Sequence, residues 1–289
     1  MQRLVNQETK MKISDFNSKF RSDLIELYTV DEVSSLFKIV LEELLSFDIT
    51  KFYLKPDYIL NETELDKVIN FTNELKKGKP FQYVIGETRF YNYKFYVNDS
   101  VLIPRIETEG LVDWILRENK DSKTTVIDFC SGSGCIAITM KIKRKKWDIS
   151  ALEINKKAID LAKRNSFRHS VDINYIHDDI FSWNNYDEVD IIISNPPYVV
   201  ESQKKNMKVN VLNFEPEKSI FVSDQNPLIF YKRIFDISKF KLKEGGLLYF
   251  EINPKLKNAL ISLSKKYNFS NYELKKDIFR RNRYIRFQK

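Results

Sequence analysis

Thr125-Val126-Ile127-Asp128-Phe129-Cys130-Ser131-Gly132-Ser133-Gly134-Cys135-Ile136-Ala137-Ile138-Thr139-Met140 decides how this chain is to be read. The first five residues form an apolar, β-rich run too short for a helix, which predicts a buried strand. The small residues after it let the backbone approach a ligand and leave the N-terminus of the following helix open. A P-loop is excluded, because Gly134 is followed by Cys135 rather than by Lys-Ser or Lys-Thr. About twenty-five residues beyond Asp128, Ile149-Ser150-Ala151-Leu152-Glu153 predicts a second strand closed by a carboxylate. An acid in that position holds the two hydroxyls of a ribose.

A third strand is predicted at Asp190-Ile191-Ile192-Ile193-Ser194, and Asn195-Pro196-Pro197-Tyr198 stops it, since neither proline can donate a ladder hydrogen bond. An amide and a phenol are thereby set on a stiff turn at the carboxyl edge of a sheet, where open α/β folds bind ligands. Such a turn suits the grip of a planar amide or amino group whose nitrogen attacks a methyl donor. Asn195 offers a side-chain oxygen and Pro196 a carbonyl, two acceptors for the two hydrogens, while Tyr198 lies against the flat face. A plain Pro-Pro turn with an Asx-type cap is the other reading of these residues. A glycine-rich turn followed by an acidic strand end also fits a dinucleotide site; paired with Asn-Pro-Pro-Tyr it reads better as a site for S-adenosylmethionine.

The chain resembles the protein-glutamine N5-methyltransferases that modify peptide chain release factors. The resemblance runs from Pro80 to the C-terminus. It rests on Pro80-Phe81-Gln82-Tyr83-Val84-Ile85-Gly86-Glu87 with Phe90, on Val101-Leu102-Ile103-Pro104-Arg105-Ile106-Glu107-Thr108-Glu109, and on Phe214-Glu215-Pro216 after the Asn-Pro-Pro-Tyr turn. Asp277-Ile278 and Arg281-Asn282-Arg283 stand where the family begins its last strand. It implies a Rossmann-like class I methyltransferase of α/β type, with a small N-terminal helical domain and a β-hairpin linker. The boundaries it implies are 1–79 for substrate recognition, 80–103 for the linker and 104–289 for catalysis.

By position, the resemblance has Cys130, Ser131, Gly132, Ser133 and Gly134 wrap the cofactor, Glu153 hold the ribose, and Asp179 and Ile180 flank the adenine. Asn195, Pro196, Pro197 and Tyr198 bind the substrate glutamine, with Asn195 also near the cofactor; Asn195, Pro196 and Tyr198 carry catalysis. The Pro104-Arg105 loop is expected to border the same pocket. The partners implied are class 1 release factors, through their Gly-Gly-Gln loop, with no direct nucleic-acid binding. Two alternatives stand beside this: methylation of an exocyclic amino group in DNA or RNA, and a decayed, non-catalytic methyltransferase fold. The sequence departs from the family at Cys130 and Arg280, where glycine is usual, and at Ile106, where proline is usual.

The remaining sequence is consistent with this outline. Thr29-Val30-Asp31-Glu32 has capping-box spacing, and Val33, Leu36, Phe37, Val40, Leu41, Leu44 and Leu45 make one apolar helical stripe after it. Asn61 with Glu64 caps a further helix, which Gly78 and Pro80 stop. Arg89 to Val97 reads as an aromatic hairpin, and the alternation of strands and helices from about Ser100 predicts a mostly parallel sheet. Lys243 to Glu251 is a turn into a late buried strand, with Glu251 read as surface polarity.

Seven glycines among 289 residues, with a net charge of +8, read as biased codon usage rich in Lys, rather than as a nucleic-acid surface. Arg283 and Arg286 are expected on one solvated face of the terminal strand. Two cysteines and two histidines make no four-ligand metal set and no secreted disulfide framework, so a reducing cytoplasm is expected. Met1 to Glu8 shows no apolar signal core, and no apolar run reaches the roughly 20 residues of a membrane span.

Overall fold

A computed structural model describes residues 10–120, 123–185, 187–269 and 271–289. The reading of Met1 to Glu8 lies outside them. The chain divides into two compact units, one ending at Ile85 and one from Gly86 to Lys289.

The first unit is helical: α1 (Ile13–Leu24), α2 (Val30–Ile39), α3 (Ile49–Leu54), α4 (Glu62–Lys76) and the short α5 (Phe81–Ile85). Both predicted capping boxes form. Thr29 Oγ1 accepts from the Glu32 N–H at 3.3 Å, and Asn61 Oδ1 from the Glu64 N–H at 2.9 Å, with each glutamate reaching back to the cap. The predicted stripe buries Val33, Leu36, Phe37, Val40, Leu41 and Leu45, whereas Leu44 is only half-buried. Its place is shifted because α2 runs into a π-helical turn, Val40–Leu44, whose extra residue per turn rotates the side chains. Gly78 takes φ +81° after α4, the left-handed stop that glycine adopts without a Cβ penalty.

The second unit opens with a hairpin, β1 (Glu87–Phe90) and β2 (Tyr93–Tyr96), and then α6 (Ile106–Glu118). Strands and helices follow as β3 (Thr125–Phe129), α7 (Cys135–Lys143), β4 (Asp148–Glu153), α8 (Lys156–Arg168), β5 (Asn174–His177) and β6 (Val189–Ser194). Two short strands, β7 (Val199–Val200) and β8 (Phe221–Val222), pair beside the sheet and flank α9 (Val209–Phe214). The chain ends with α10 (Ile229–Lys241), β9 (Leu242–Glu251), α11 (Lys257–Lys266), β10 (Asn271–Lys276) and β11 (Asn282–Gln288).

The seven-stranded sheet has the order β5-β4-β3-β6-β9-β11-β10. Its first five strands are parallel, and β11 and β10 turn antiparallel at the edge. Strand alternation fixes what each face receives. Val126, Ile191, Ile193 and Tyr249 enter one core with α6 and α7, while Ile127, Ile192, Leu248 and Phe250 enter the other with α10. By the same parity Asp128 and Glu251 face the α6–α7 side, away from solvent.

Arg283 and Arg286 lie three residues apart on β11, so alternation sends them to opposite faces. The single solvated face expected of them is therefore corrected. Arg283 is buried and pairs with Asp277 at 3.3 Å; Arg286 reaches Glu118 at 2.9 Å on the other side.

Helix α6 depends on a close approach at Gly110, where an added Cβ would lie 2.8 Å from Tyr284 Cζ of β11. A glycine inside a helix ordinarily gains about 1 kcal/mol on replacement by alanine. Here the opposite sign is expected: Gly110→Ala lowers the thermal midpoint of the full chain. A raised midpoint would contradict this packing.

Candidate active site

The strand order reverses beside β3, since the chain goes from β3 to β4 on one side and later places β6 on the other. The carboxyl ends at this switch point form the crevice in which open α/β sheets bind ligands. Ser194 at the end of β6 donates its hydroxyl to the Phe129 carbonyl at 2.8 Å, tying the two lips together.

On the β3 side, the turn from Cys130 to Gly134 carries three positive φ values: Cys130 +61°, Gly132 +53° and Gly134 +77°. A Cβ at Gly134 would lie 2.8 Å from Tyr175 Oη, whereas one at Gly132 would meet nothing within 4 Å. Gly132 thus keeps its backbone bare toward open space, as a cradle requires. Glu153, ending β4, accepts the Gly132 N–H at 2.9 Å through Oε2 and the Asn155 N–H at 2.9 Å through Oε1.

Two polar groups at this turn are buried without a hydrogen-bond partner among the described residues, the Asp128 carboxyl and the Ser131 hydroxyl. Burial pushes the Asp128 pKa up to about 8, reinforced by the Glu153 charge. Burial also pushes the Cys130 thiol up, and the Cys135 thiol up to about 12, so neither is a reactive thiolate. A bare cradle, a strand-end carboxylate and the open N-terminus of α7 fit the amino, hydroxyl and carboxylate groups of an adenosyl amino acid.

Asn165 contributes a clamp that the sequence reading did not single out. Fully buried on α8, it accepts the Tyr96 N–H at 2.7 Å and donates to the Tyr96 carbonyl at 3.1 Å and to the Ser133 carbonyl at 3.0 Å. Asp179 lies in the turn after β5, where Oδ1 accepts the Phe181 N–H at 2.9 Å. Ile180 beside it is buried in the α10-side core.

On the β6 side, a cleft of about 200 Å³ is lined by Asn195, Pro196, Tyr198, Arg105, Glu251, Arg283 and their neighbours. Arg105 joins it as expected of its loop, and its guanidinium is held at 2.6 Å by Glu215. Glu251 is not surface polarity: it is 1% exposed. Its two oxygens accept the hydroxyls of Thr108 at 2.7 Å and Tyr198 at 2.8 Å. Its place at the end of a central strand, on the inward parity, is what buries it. Burial and the Glu251 charge raise the Tyr198 pKa well above that of an ordinary phenol, so its hydroxyl stays a donor. Arg283 Nη1 donates to Tyr198 Oη at 3.2 Å. Asn195 Nδ2 donates to Thr108 Oγ1 at 3.3 Å.

Comparison with known proteins agrees with this geometry. The profile of the family described as methyltransferase small domain matches residues 108–215, and that of the PrmC N-terminal domain matches residues 19–86. The chain is 38% identical to a release factor glutamine methyltransferase of Flavobacterium psychrophilum, over 96% of this chain and 99% of the relative. The chain belongs to the release factor glutamine methyltransferase family. A second member, from Bacteroides thetaiotaomicron, is 35% identical over 92% of this chain and 96% of its own. A T. thermophilus 16S rRNA N2 methyltransferase, solved with AdoMet and guanosine, superposes with a TM-score of 0.52 at 13% identity. That match covers 70% of this chain and 49% of the other, and is a likeness of fold. The protein is accordingly an S-adenosylmethionine-dependent methyltransferase of class I fold.

Cys130 and Arg280, where the resemblance implied glycine, both have positive φ, at +61° and +62°. Each holds a side chain in a left-handed conformation that costs on the order of 1 kcal/mol. At Arg280 the turn is braced by Asp277, whose Oδ1 accepts the Phe279 and Arg281 N–H groups, each at 2.9 Å.

Two outcomes are expected. Cys130→Gly relieves the left-handed strain and raises the free energy of urea unfolding by on the order of 0.5–1 kcal/mol, less any entropy lost to glycine, and so raises the midpoint. An unchanged or lowered midpoint would count against strain at that position. For Asp128, the folded pKa of about 8 lies far above its unfolded value near 4. The folded state therefore holds a proton that the unfolded chain releases, and stability contributed by this group falls as pH rises between those values. Asp128→Asn removes that loss, so its advantage over the wild type in the absence of ligand grows from about pH 4 to about pH 8. An advantage independent of pH would show that the carboxyl is not held protonated.

Proposed function

We propose that this protein transfers a methyl group from S-adenosylmethionine to the side-chain amide nitrogen of the glutamine in the Gly-Gly-Gln motif of class 1 peptide chain release factors. The observation that carries the reading is the Asn195–Tyr198 turn, set across the β3–β6 switch point from the glycine-rich cradle. Membership of the family supplies the substrate class.

In this reading Cys130 to Gly134 and Glu153 hold the methionine and ribose parts of the cofactor, and Asp179 and Ile180 border its adenine. Ile180 contributes through the edge of a core position. S-adenosylmethionine supplies an electrophilic methyl group on a sulfonium. An amide nitrogen is a poor nucleophile because its lone pair is delocalised into the carbonyl. Asn195 Oδ1 and the Pro196 carbonyl take the two amide hydrogens and turn the nitrogen lone pair toward the methyl, while Pro197 stiffens the turn and Tyr198 walls the amide. Orientation of this kind supplies roughly 7–11 kcal/mol of a barrier without a strong base. The C–N bond forms as the methyl C–S bond breaks, S-adenosylhomocysteine is the other product, the amide proton is lost to solvent, and no side chain serves as an obligatory base.

Residues 1–79 act as a substrate-recognition domain, 80–103 as a linker and 104–289 as the catalytic domain. The cytoplasm, where translation is terminated, is the place of action; among the described residues no helix is long and apolar enough to cross a membrane.

The test uses labelled S-adenosylmethionine with a purified class 1 release factor and with the same factor carrying Glu for Gln in its Gly-Gly-Gln motif. Label is expected only in the unaltered factor; label in both, or in neither, would refute the assignment. Asn195→Ala is expected to lower transfer at least 100-fold, about 3 kcal/mol, while cofactor affinity changes less than threefold. Near-wild-type turnover would remove Asn195 from the chemistry.

A further inference from the structure

An asparagine can grip an amide NH2 only when its oxygen, and not its nitrogen, faces the ligand. The two ends of the side chain have nearly the same shape, so something must choose between them. In this site the choice is made two residues away. A carboxylate only accepts hydrogen bonds, and both oxygens of Glu251 are engaged, one by Thr108 Oγ1 at 2.7 Å and one by Tyr198 Oη at 2.8 Å. Thr108 has a single hydroxyl proton and gives it to Glu251. Toward Asn195 it can then only accept, and Asn195 Nδ2 fills that role at 3.3 Å. The nitrogen is thereby committed to Thr108, which leaves Oδ1 as the free end of a side chain that lines the cleft.

The same carboxylate is held ready on its other side. Tyr198 Oη gives its proton to Glu251 and receives Arg283 Nη1 at 3.2 Å, and Arg283 is paired with Asp277 at 3.3 Å. Every hydrogen bond in the chain from Arg283 to Asn195 thus has an assigned direction, and all of them converge on Glu251. Thr108 and Glu251 are both nearly fully buried, at 3% and 1% exposed, so water does not substitute for either partner.

We infer that Glu251, acting through Thr108, is a positioning residue that locks the amide of Asn195 with its oxygen toward the substrate, and so makes the site select glutamine over the isosteric glutamate. The inference rests on the proposed glutamine substrate. With Asn195 Oδ1 and the Pro196 carbonyl both presented as acceptors, a carboxamide NH2 satisfies two lone pairs. A carboxylate in its place would set oxygen against oxygen, the kind of mismatch a hydrogen-bonding site rejects strongly. Were Asn195 free to rotate, its N–H would serve the carboxylate instead, and the discrimination would fade.

The experiment measures the affinity of a release factor carrying Gly-Gly-Gln and of its Gly-Gly-Glu counterpart, with kcat and KM for the former, in the wild type and in Thr108→Val, Thr108→Ser and Glu251→Gln. The wild type is expected to favour the Gln factor by roughly tenfold or more. Thr108→Val and Glu251→Gln are expected to bring that ratio within about threefold and to lower kcat about tenfold, with cofactor affinity unchanged. Thr108→Ser keeps the hydroxyl and is expected to keep the ratio. A general loosening of the fold would weaken both factors alike and leave the ratio standing. A wild-type ratio preserved in both Thr108→Val and Glu251→Gln overturns the inference while the methylation of glutamine stands. A wild type that labels neither factor overturns both. If Thr108→Val does not fold, Thr108→Ala, which also removes the hydroxyl, decides alone.

Discussion

A carboxylate taken out of water must be surrounded by donors, and much of the catalytic unit is arranged to meet that demand at Glu251. It stands at the end of a central parallel strand, with Thr108 brought by α6, Tyr198 by the turn after β6, and Arg283 by the antiparallel edge. Four separate stretches of chain are thereby brought into register around one group. Burial raises its pKa, while Thr108, Tyr198 and Arg283 act against that rise. Truncating one member of such a buried network leaves the others unsatisfied, a cost of several kcal/mol. The same demand keeps the acceptor side of the cleft rigid, which a reaction driven by orientation requires.

The fold was legible in this sequence wherever the signal was local. Short β-branched runs, the Thr29 and Asn61 capping boxes and the proline-stopped strand at Asn195 each follow from a few adjacent residues. What escaped was settled by tertiary placement. Glu251 reads as polar and therefore outward until the order of strands makes its face internal. Asn165 carries no motif signal of its own, and Thr108, although it stands in the Val101–Glu109 signature, gives no sign there of its bond to Glu251, because the partners of both lie far away in sequence. Arg283 was legible in principle: an odd spacing from Arg286 on a strand already separates their faces, and simple counting would have shown it.

The scarcity of glycine has left its mark on the backbone. Cys130 and Arg280 keep the left-handed turns that the architecture needs without the residue best suited to them. One lies in the cradle and the other in the turn that presents Arg281 and Arg283. In both places the geometry persists because its surroundings over-determine it: Ser194 and Phe129 tie the strand ends beside Cys130, and Asp277 braces Arg280.

Asn165 also bears on how the catalytic unit breathes. Its side chain joins the second strand of the hairpin to the glycine-rich turn through one buried amide. Neither segment can peel away without exposing the unsatisfied half of that amide, so the two open as one cooperative unit. Amide hydrogen exchange in Tyr96 and around Ser133 should then report a single opening free energy. A ligand seated on the turn would slow exchange in a hairpin it never touches.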